Sequence, residues 1–374
     1  MKTVYILGAG FSIDAGAPSQ ANIMKEAFKL YENNKDGFPR FQIFKEFLIN
    51  EMNFSEEQFS NVILEDIFTP LDRCLSDNLQ YRGVSISEIM KTRENAFHII
   101  GDTIKHLIQD KERNRKYIDK FAKHLVEKSK ERMKIREVKG RDVIDPVSVI
   151  STNWDIILDN SIYKEINNTI SNEETSYGVV DYCCYISSLD EEDDTVKPGL
   201  YAIGKGGYNV KLLKLHGSLN WLQCPRCMRL YTGFERKIAL DHNNNCRHCD
   251  KNFGNKGGNI LTSNLIMPTF IKDLSNPQYK IIWQNAGIEI SEADKLVFIG
   301  YSLPSADFEI RQLLSRMSRV NVKIEVVDFL SQVCDVETRE TKKNAIKSNW
   351  TNFFGKRDIS FHFDGAKSYI DENF

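Results

Sequence analysis

Short apolar runs and helical repeats alternate along most of this chain. Five mainly apolar runs predict buried strands, at residues 4–7, 147–150, 212–215, 295–299 and 322–327. After the fourth run in the sequence, apolar residues recur at helical spacing from Phe308 to Met317. Strands that alternate with helices are typical of a parallel sheet. The predicted fold class is therefore α/β, with a Rossmann-like doubly wound parallel sheet.

Residues 20–140 follow a different pattern, because helical periodicity continues there without a strand run. One apolar helical face extends from Phe97 through Ile100 to Ile104. We interpret this block as a helical insertion within a single domain that spans residues 1–374.

Three further local predictions concern helix ends and connections. Capping boxes are predicted at Ser55 and Ser85. Residues 61–75 are predicted to form a helix that bends or ends near Pro70. Residues 165–210 are predicted to be an irregular connection.

The first strand run is followed by a glycine-containing turn. Its candidate ligand-binding residues are Gly8, Ala9, Gly10, Phe11, Ser12 and Asp14. Glycine permits a tight turn and close approach of the backbone to a phosphate, and a helix beginning there would offer free amides. The pattern departs from the dehydrogenase fingerprint, since Ile13 stands where the third glycine would fall. An ordinary strand turn is the alternative interpretation.

Polar side chains also follow the next two strand runs. Asn153 and Asp155 come after residues 147–150, and His216 comes after residues 212–215. In open parallel sheets ligands bind at the carboxyl ends of strands, so these three are candidate binding or catalytic residues. Asp155 also fits a helix cap, and the two roles are compatible. The alternative for His216 is a structural histidine.

The last two strand runs end in a second small-residue turn and a carboxylate. Gly300, Tyr301 and Ser302 follow residues 295–299, and Asp328 follows the last run. A carboxylate at a strand end is the usual partner for the hydroxyls of a bound ribose. A helix cap is the alternative for Asp328.

Four of the eight cysteines form two Cys-x-x-Cys pairs separated by eighteen residues. This spacing predicts a tetrahedral zinc site with the ligands Cys224, Cys227, Cys246 and Cys249. Four thiolates leave no position open for a substrate, so the zinc is expected to be structural, within a module at residues 222–262. Paired cysteines of this kind also favour a reducing cytoplasm over a disulfide framework.

The other four cysteines carry no predicted chemistry. Cys74 and Cys334 are expected to be buried thiols, and the adjacent Cys183 and Cys184 have no assigned role.

Composition and charge exclude several classes of protein. The 374 residues carry a net charge of −2, which does not point to nucleic acid or an acidic substrate. No apolar run is long enough for a membrane span, and the start of the chain does not resemble a signal peptide. Residues 111–142 hold thirteen Lys or Arg against six Asp or Glu. Tyr117, Phe121 and Leu125 are predicted to form a buried apolar stripe, so no aromatics interleave for base stacking. A solvated helix is the preferred interpretation, so direct nucleic-acid binding is not expected.

The order of these motifs is more specific than any one of them. The turn from Gly8 to Pro18, the Asn153 segment, His216 with the cysteines after it, and the Gly300 turn together resemble the sirtuin superfamily. The resemblance covers residues 4 to about 330. It is strongest to the bacterial sirtuin-like branch associated with antiphage defence, whose members hydrolyse NAD+.

The resemblance implies NAD+ as substrate, bound between the Rossmann sheet and the zinc and helical module. Asn153 and His216 would be catalytic, and Asp155 would position Asn153. The cofactor-binding residues would be Gly8, Ala9, Gly10, Phe11, Ser12, Asp14, Gly300, Tyr301, Ser302 and Asp328. The implied activity is hydrolysis of the nicotinamide–ribose bond to nicotinamide and ADP-ribose.

Two departures count against a protein deacylase. Deacylating sirtuins follow the proline of the first motif with Phe-Arg, whereas this chain has Ser19 and Gln20. They also carry a Phe-Gly-Glu segment after the zinc module, and nothing of that form lies between Cys249 and Lys295. An NAD-dependent deacylase and a non-catalytic sensor of an NAD-derived nucleotide are the alternatives.

Regulation is expected to come from outside the domain. A toxic NAD+ hydrolase must be restrained, and only about 45 residues follow Asp328. We therefore expect a homo-oligomer and a separate partner, such as a helicase-like ATPase or a nucleic-acid-binding sensor.

Overall fold

The structure is a computed structural model that describes residues 1–34, 39–108, 115–139, 144–172, 177–192, 195–234, 244–253, 258–270, 272–330 and 336–374. The chain divides into two compact units. The first comprises Met1–Asp14, Asn114–Leu265 and Leu274–Phe374, and the second comprises Ala15–Arg113 and Ile266–Asp273. Cys334, predicted to be a buried thiol, lies outside the described residues.

A parallel sheet forms the core of the first unit. Within the described residues it has seven strands: β1 (Thr3–Leu7), β2 (Val147–Ser151), β3 (Gly178–Asp181), β5 (Tyr208–Lys214), β9 (Lys295–Ile299), β10 (Lys323–Val327) and β11 (Ile359–His362). The strand order is β11-β10-β9-β1-β2-β5-β3, and every pairing is parallel. The predicted doubly wound α/β fold class is confirmed.

Two strands of this sheet escaped the sequence prediction. β3 lies inside residues 165–210, which were predicted to be irregular, and that prediction is wrong. Its apolar core is only Val179 and Val180, too short a run to stand out from a loop. β11 is an edge strand whose residues are mostly half-buried, so it has no continuous apolar run either.

Helices cover the sheet in the first unit. They are α5 (Lys116–Lys139), α6 (Ile157–Asn172), α7 (Gly199–Gly204), α9 (Pro277–Glu292), α10 (Phe308–Met317), α11 (Val336–Phe354) and α12 (Gly365–Asn373). The predicted apolar stripe of the basic segment is buried: Tyr117 and Phe121 of α5 pack edge-on against Phe11, and Phe121 also packs against Tyr5. α5 is therefore a core helix of this unit.

A smaller mixed sheet carries the cysteine pairs. Its strands are β4 (Ile186–Ser188), β7 (Leu230–Thr232), β6 (Gly217–Gln223) and β8 (Thr262–Leu265), in that order. The short helix α8 (Arg247–Phe253) contains Cys249, the last of the four paired cysteines. Because β6 begins one residue after His216 and ends one residue before Cys224, a single strand joins the large sheet to the cysteine cluster.

The second unit is helical. It contains α1 (Ile23–Asn33), α2 (Pro39–Asn50), α3 (Leu64–Asp77) and α4 (Ile86–Ile108). Both predicted capping boxes form: Ser55 exchanges bonds with Gln58, and Ser85 with Glu88. The predicted end near Pro70 is not observed, since α3 continues through it to Asp77.

Across the described residues, no helix combines the length and the apolar character that crossing a bilayer requires.

Candidate functional site at the carboxyl edge of the sheet

The predicted site segments lie at one edge of the large sheet. Leu7 of β1 is opposite Ser151 of β2 and Ile299 of β9, Ser151 is opposite Lys214 of β5, and Ile299 is opposite Val327 of β10. The residues that follow these strands therefore emerge side by side: Gly8, Thr152, Leu215, Gly300 and Asp328. The chain leaves β1 toward β2 and leaves β9 toward β10, on opposite sides. The carboxyl ends of β1 and β9 therefore flank a topological switch point, the kind of position where open α/β sheets bind ligands.

The two glycine turns at this switch point touch each other. A Cβ added at Gly8 would lie 2.5 Å from the Gly300 carbonyl oxygen, and one at Gly10 would lie 2.6 Å from the Gly300 Cα. Gly300 has φ +63°, and a Cβ there would lie 2.3 Å from the Phe11 amide nitrogen. Glycine is therefore required at these positions by contact between the turns, a reason the sequence prediction did not contain.

Main-chain bonds occupy most of the amides in the first turn. Gly10 donates to the Gly300 carbonyl at 2.9 Å, Phe11 to Gly8, and Ser12 to Ala9. The predicted helix after the glycines is a single 3₁₀ turn, Ala9–Phe11, and the first α-helix begins at Ile23. The expected set of free helix amides for a phosphate is thus absent from the described turn.

The other predicted residues of the first turn differ in exposure. Ala9 is half-buried and Asp14 is exposed. Phe11 and Ser12 are each 1% exposed. The Phe11 ring packs in the core, and its carbonyl accepts a 2.6 Å bond from the Tyr117 hydroxyl.

Asn153 is oriented by bonds to the first turn. Its Nδ2 donates to the Gly8 carbonyl at 2.9 Å and lies 3.4 Å from the Ser12 Oγ. A carbonyl can only accept, so this contact places the amide nitrogen toward the turn. The side-chain oxygen Oδ1 is then the part of Asn153 that can accept a bond from a ligand hydroxyl or a water.

Asp155 caps α6, as one of its two predicted roles required. Its Oδ1 accepts a 3.1 Å bond from the Ile157 amide, and the residue is buried. Burial raises the pKa of Asp155 above its ordinary value, although Lys214, the Ile157 amide and the Ser12 hydroxyl favour the ionised form. Ser12 therefore links Asp155 to Asn153.

A buried ion pair that the sequence analysis did not identify lies beneath these residues. The Lys214 Nζ donates to the Asp155 carbonyl at 2.6 Å and to the Asp159 carboxylate at 3.1 Å. The Tyr182 hydroxyl donates to the other Asp159 oxygen at 2.8 Å. Lys214 and Asp159 are each 1% exposed. The pair fixes the end of β5 to the start of α6.

His216 lies at the end of β5 with both ring nitrogens near defined groups. Its Nδ1 is 3.3 Å from the Thr152 carbonyl oxygen, and its Nε2 is 3.8 Å from Oδ1 of Asp307. Since the carbonyl can only accept, Nδ1 carries the proton in the neutral ring and Nε2 holds the basic lone pair.

The turn after β9 also holds a carboxylate. The buried Tyr301 donates from its hydroxyl to the Asp307 Oδ2 at 3.1 Å. Ser302 is exposed, and its carbonyl accepts from Asn349. Sequence reasoning assigned no role to Asp307, because the Ser-Ala-Asp sequence before α10 is also typical of a helix start.

Asp328 ends β10 at the same edge. Its Oδ1 accepts a 2.8 Å bond from the Phe329 amide, and burial raises its pKa above the ordinary value. No helix begins at Phe329 in the described chain, so the helix-cap alternative for Asp328 is wrong.

The four predicted zinc ligands form one cluster. Their sulfur atoms all lie within 4.8 Å of one another, and Cys224, Cys246 and Cys249 are fully buried. The Cys224–Cys249 and Cys227–Cys246 sulfur pairs are each 3.7 Å apart. A disulfide would require about 2.05 Å, whereas thiolates at about 2.3 Å from one zinc lie about 3.8 Å apart along a tetrahedron's edges. The residues present therefore fit a closed four-thiolate zinc site.

Apolar and polar neighbours support the cluster. Leu222, Tyr231 and Leu261 pack around the sulfurs, and the Tyr231 hydroxyl lies 3.3 Å from the Cys246 sulfur. Hydrogen bonds to ligand atoms are typical of metal sites. Cys183 and Cys184 are not part of the cluster. Cys74 is half-buried, so the prediction of a buried thiol there is wrong.

No protein-family model matches the chain, and neither does the sequence of any curated protein.

Among solved structures, the chain is similar to Sir2 and sirtuin proteins. One, described as the structural basis of sirtuin substrate affinity, is 13% identical, with 99% of this chain and 92% of that chain covered at a TM-score of 0.41. A complex of Sir2 with a p53 peptide and NAD+ is 12% identical, with 99% and 91% covered at 0.38. A structure on the mechanism and regulation of Sir2 enzymes is 12% identical, with 99% and 89% covered at 0.36. Identities and TM-scores this low assign the chain neither to a family nor to an activity.

Proposed function

We propose that this chain is an NAD+ glycohydrolase that cleaves the nicotinamide–ribose bond. The observation that carries the proposal is the pairing of Asn153 and His216 at adjacent strand ends beside the switch point. Each is held by a main-chain carbonyl, which leaves the side-chain oxygen of Asn153 as an acceptor and directs the buried Nε2 of His216 toward Asp307. The motif order described above supplies the identity of the substrate.

The chemistry needs a base and an oriented nucleophile. Nicotinamide leaves as a neutral ring and needs little acid assistance, so the site's task is to stabilise an oxocarbenium-like ribose and direct water to it. His216 is the proposed general base, acting on the water or a ribose hydroxyl, and Asn153 is proposed to orient the same group. A positioned acid or base contributes roughly 10²–10⁴ in rate.

The nucleotide is proposed to lie over the two glycine turns. Ala9, Asp14, Gly300 and Ser302 would border it. Asp328 would accept bonds from a ribose hydroxyl. The switch-point geometry supports this placement. The amides of Gly10, Phe11 and Ser12 already donate within the protein, so they are not proposed to bind the phosphates.

Zinc is proposed as a structural cofactor held by the four cysteines. When bound, it would hold one end of β6, whose other end begins beside His216. The Leu219 amide of β6 also donates to the Trp154 carbonyl at 2.9 Å, next to Asn153. The metal module thus supports both catalytic segments through a single strand.

We also propose a biological setting: the NAD-depleting effector of a bacterial antiphage system, acting in the cytoplasm. Homo-oligomerisation and a separate partner, such as a helicase-like ATPase or a nucleic-acid-binding sensor, would restrain it. A monomer with full constitutive activity would contradict this part of the proposal.

The first test is release of nicotinamide and ADP-ribose from NAD+, followed by chromatography. Wild type, Asn153→Ala and His216→Ala are compared, first alone and then with lysate from phage-infected cells. Each substitution is expected to lower turnover by roughly 10²-fold or more while leaving the thermal midpoint unchanged. Elemental analysis of the same preparation is expected to give one zinc per chain.

The controls are Asn252→Ala and His106→Ala, which remove the same side-chain types from exposed helical positions. Both are expected to retain wild-type turnover. Intact NAD+ in every condition would overturn the proposal in favour of a nucleotide sensor. Appearance of an O-acyl-ADP-ribose with an acyl-lysine peptide would instead identify a deacylase.

A further inference from the structure

Asp307 and His216 reach each other from different strand ends. His216 follows β5 and Asp307 precedes α10, so 91 positions separate them in sequence, yet Nε2 and Oδ1 are 3.8 Å apart. Their side chains are only 11% and 15% exposed, so water screens the pair weakly. We infer that Asp307 is a positioning residue that stabilises the protonated form of His216. This inference deepens the proposed hydrolase and rests on it for its catalytic meaning.

The ring geometry gives the carboxylate a defined function. The Thr152 carbonyl fixes the proton on Nδ1, which leaves Nε2 to accept a proton during the reaction. Once it does, the new N–H faces a carboxylate oxygen. At 3.8 Å the contact is an ion pair rather than a hydrogen bond, so a small closure on protonation would strengthen it.

Asp307 is held in place from its other side. The Tyr301 hydroxyl donates to its second oxygen at 3.1 Å, and burial together with the Asp307 charge keeps the pKa of Tyr301 well above its ordinary value. Tyr301 therefore remains a donor at neutral pH. Arg311 donates to the Leu303 carbonyl at 2.9 Å, and Leu303 adopts φ +56°, which closes the turn between Tyr301 and Asp307.

Other charges near the pair are already engaged. Lys214, two residues before His216, is bonded to the Asp155 carbonyl and to Asp159. Asp155 itself accepts from the Ile157 amide. Arg311 acts on the turn that carries Asp307. Asp307 places a carboxylate at ion-pair distance from the imidazole.

The test measures the pKa of His216 directly. Histidine is labelled with ¹⁵N in the full chain, the His216 signals are assigned by their loss in His216→Gln, and pH titrations are recorded for wild type and Asp307→Asn. An opposite charge within about 4–6 Å shifts a pKa by about 1–3 units. The His216 pKa is therefore expected to fall by about 1 unit or more in Asp307→Asn.

Two further variants separate charge from fold. Asp307→Glu restores the carboxylate and is expected to restore most of the shift. Glu340→Gln removes one exposed carboxylate of α11 and is expected to leave the His216 pKa unchanged. Asparagine can still accept a hydrogen bond from the Tyr301 hydroxyl, so the thermal midpoint of Asp307→Asn should match wild type at a pH above the His216 pKa, where the ring is neutral. A His216 pKa that is the same in wild type and Asp307→Asn would overturn the inference.

Activity provides a second readout. The acidic limb of the kcat/KM profile for NAD+ is expected to move to lower pH in Asp307→Asn, in parallel with the titration, and kcat is expected to fall about tenfold or more. If kcat falls but the acidic limb of the kcat/KM profile stays at the same pH, the proposed effect of the Asp307 charge on His216 would be contradicted. If the wild type proves unable to cleave NAD+, the proposed function fails, but the titration still decides whether Asp307 controls the charge on His216.

Discussion

The two ends of the large sheet use their buried polar groups differently. At the amino end, charged side chains pair with one another. Glu289 of α9 lies 2.8 Å from Lys2 and 2.5 Å from Lys211, and Lys211 lies 2.5 Å from Asp145. At the carboxyl end, charged side chains also pair, as Lys214 does with Asp159, but the proposed catalytic side chains Asn153 and His216 are each bonded to a main-chain carbonyl as well.

This difference separates stability from function. A charge that is neutralised by another side chain has little capacity left for a ligand. A side chain held by the backbone through one atom, as Asn153 is, is fixed in direction, and its second polar atom can still bond to a ligand. The same strands therefore have a structural end and a proposed functional end. Substitutions at the structural end should leave turnover per folded molecule unchanged, whereas those at the proposed functional end should lower it.

The largest expected effect on stability comes from the glycine contact at the functional end. Gly300→Ala places a Cβ 2.3 Å from backbone atoms of the first turn at φ +63°. Backbone strain of about 1–3 kcal/mol and overpacking of about 1–3 kcal/mol add, so we expect a loss of about 4 kcal/mol in urea unfolding. NAD+ turnover per folded molecule should fall as well.

Gly355→Ala is the matched control, because Gly355 has φ +69° but open space around the added atom. It should show the strain alone, about 1–2 kcal/mol, with unchanged turnover. Equal losses for both variants would show that contact between the turns does not matter.

The structural end should respond with stability alone. Glu289→Ala is expected to cost about 3 kcal/mol of unfolding free energy, near the lower end for breaking a buried ion pair. The cost is moderated because Lys2 keeps Glu292 and Lys211 keeps Asp145. Turnover per folded molecule should stay at the wild-type value.

Glu292→Ala tests whether burial is the cause. Glu292 also pairs with Lys2, but its side chain is 38% exposed, so its loss should cost less than about 1 kcal/mol. A lowered turnover in Glu289→Ala at full folding would break the proposed division between the two ends.

The smallest effect is a pH dependence of the same network. Burial alone would raise the pKa of Glu289, but Lys211 and Lys2 outweigh it and lower the pKa below its ordinary value of 4.5. Glu289 therefore contributes stability above about pH 4.5, and that contribution is lost as pH falls through the lowered folded-state pKa. The difference in urea midpoint between wild type and Glu289→Gln should shrink as pH falls from about 7 to about 3. A constant difference would exclude ionisation of Glu289 as its origin.

The sequence determined five strands of the large sheet and the edge at which the candidate site residues lie. Apolar runs marked β1, β2, β5, β9 and β10, because a strand buried on both faces needs continuous apolar residues. Parallel strands place their carboxyl ends together, so Asn153, His216 and the glycine turns could be predicted to share an edge. The cysteine spacing likewise predicted a cluster that the sulfur geometry fits.

Only the tertiary structure decided how those residues are held there. The glycine requirement arises from contact between turns about 290 positions apart, and the amide of Asn153 is oriented by the Gly8 carbonyl. Asp307 becomes the charge partner of His216 only when β5 and β9 are folded into one sheet. Such pairings depend on distances across the fold, and local residue patterns carry no record of them.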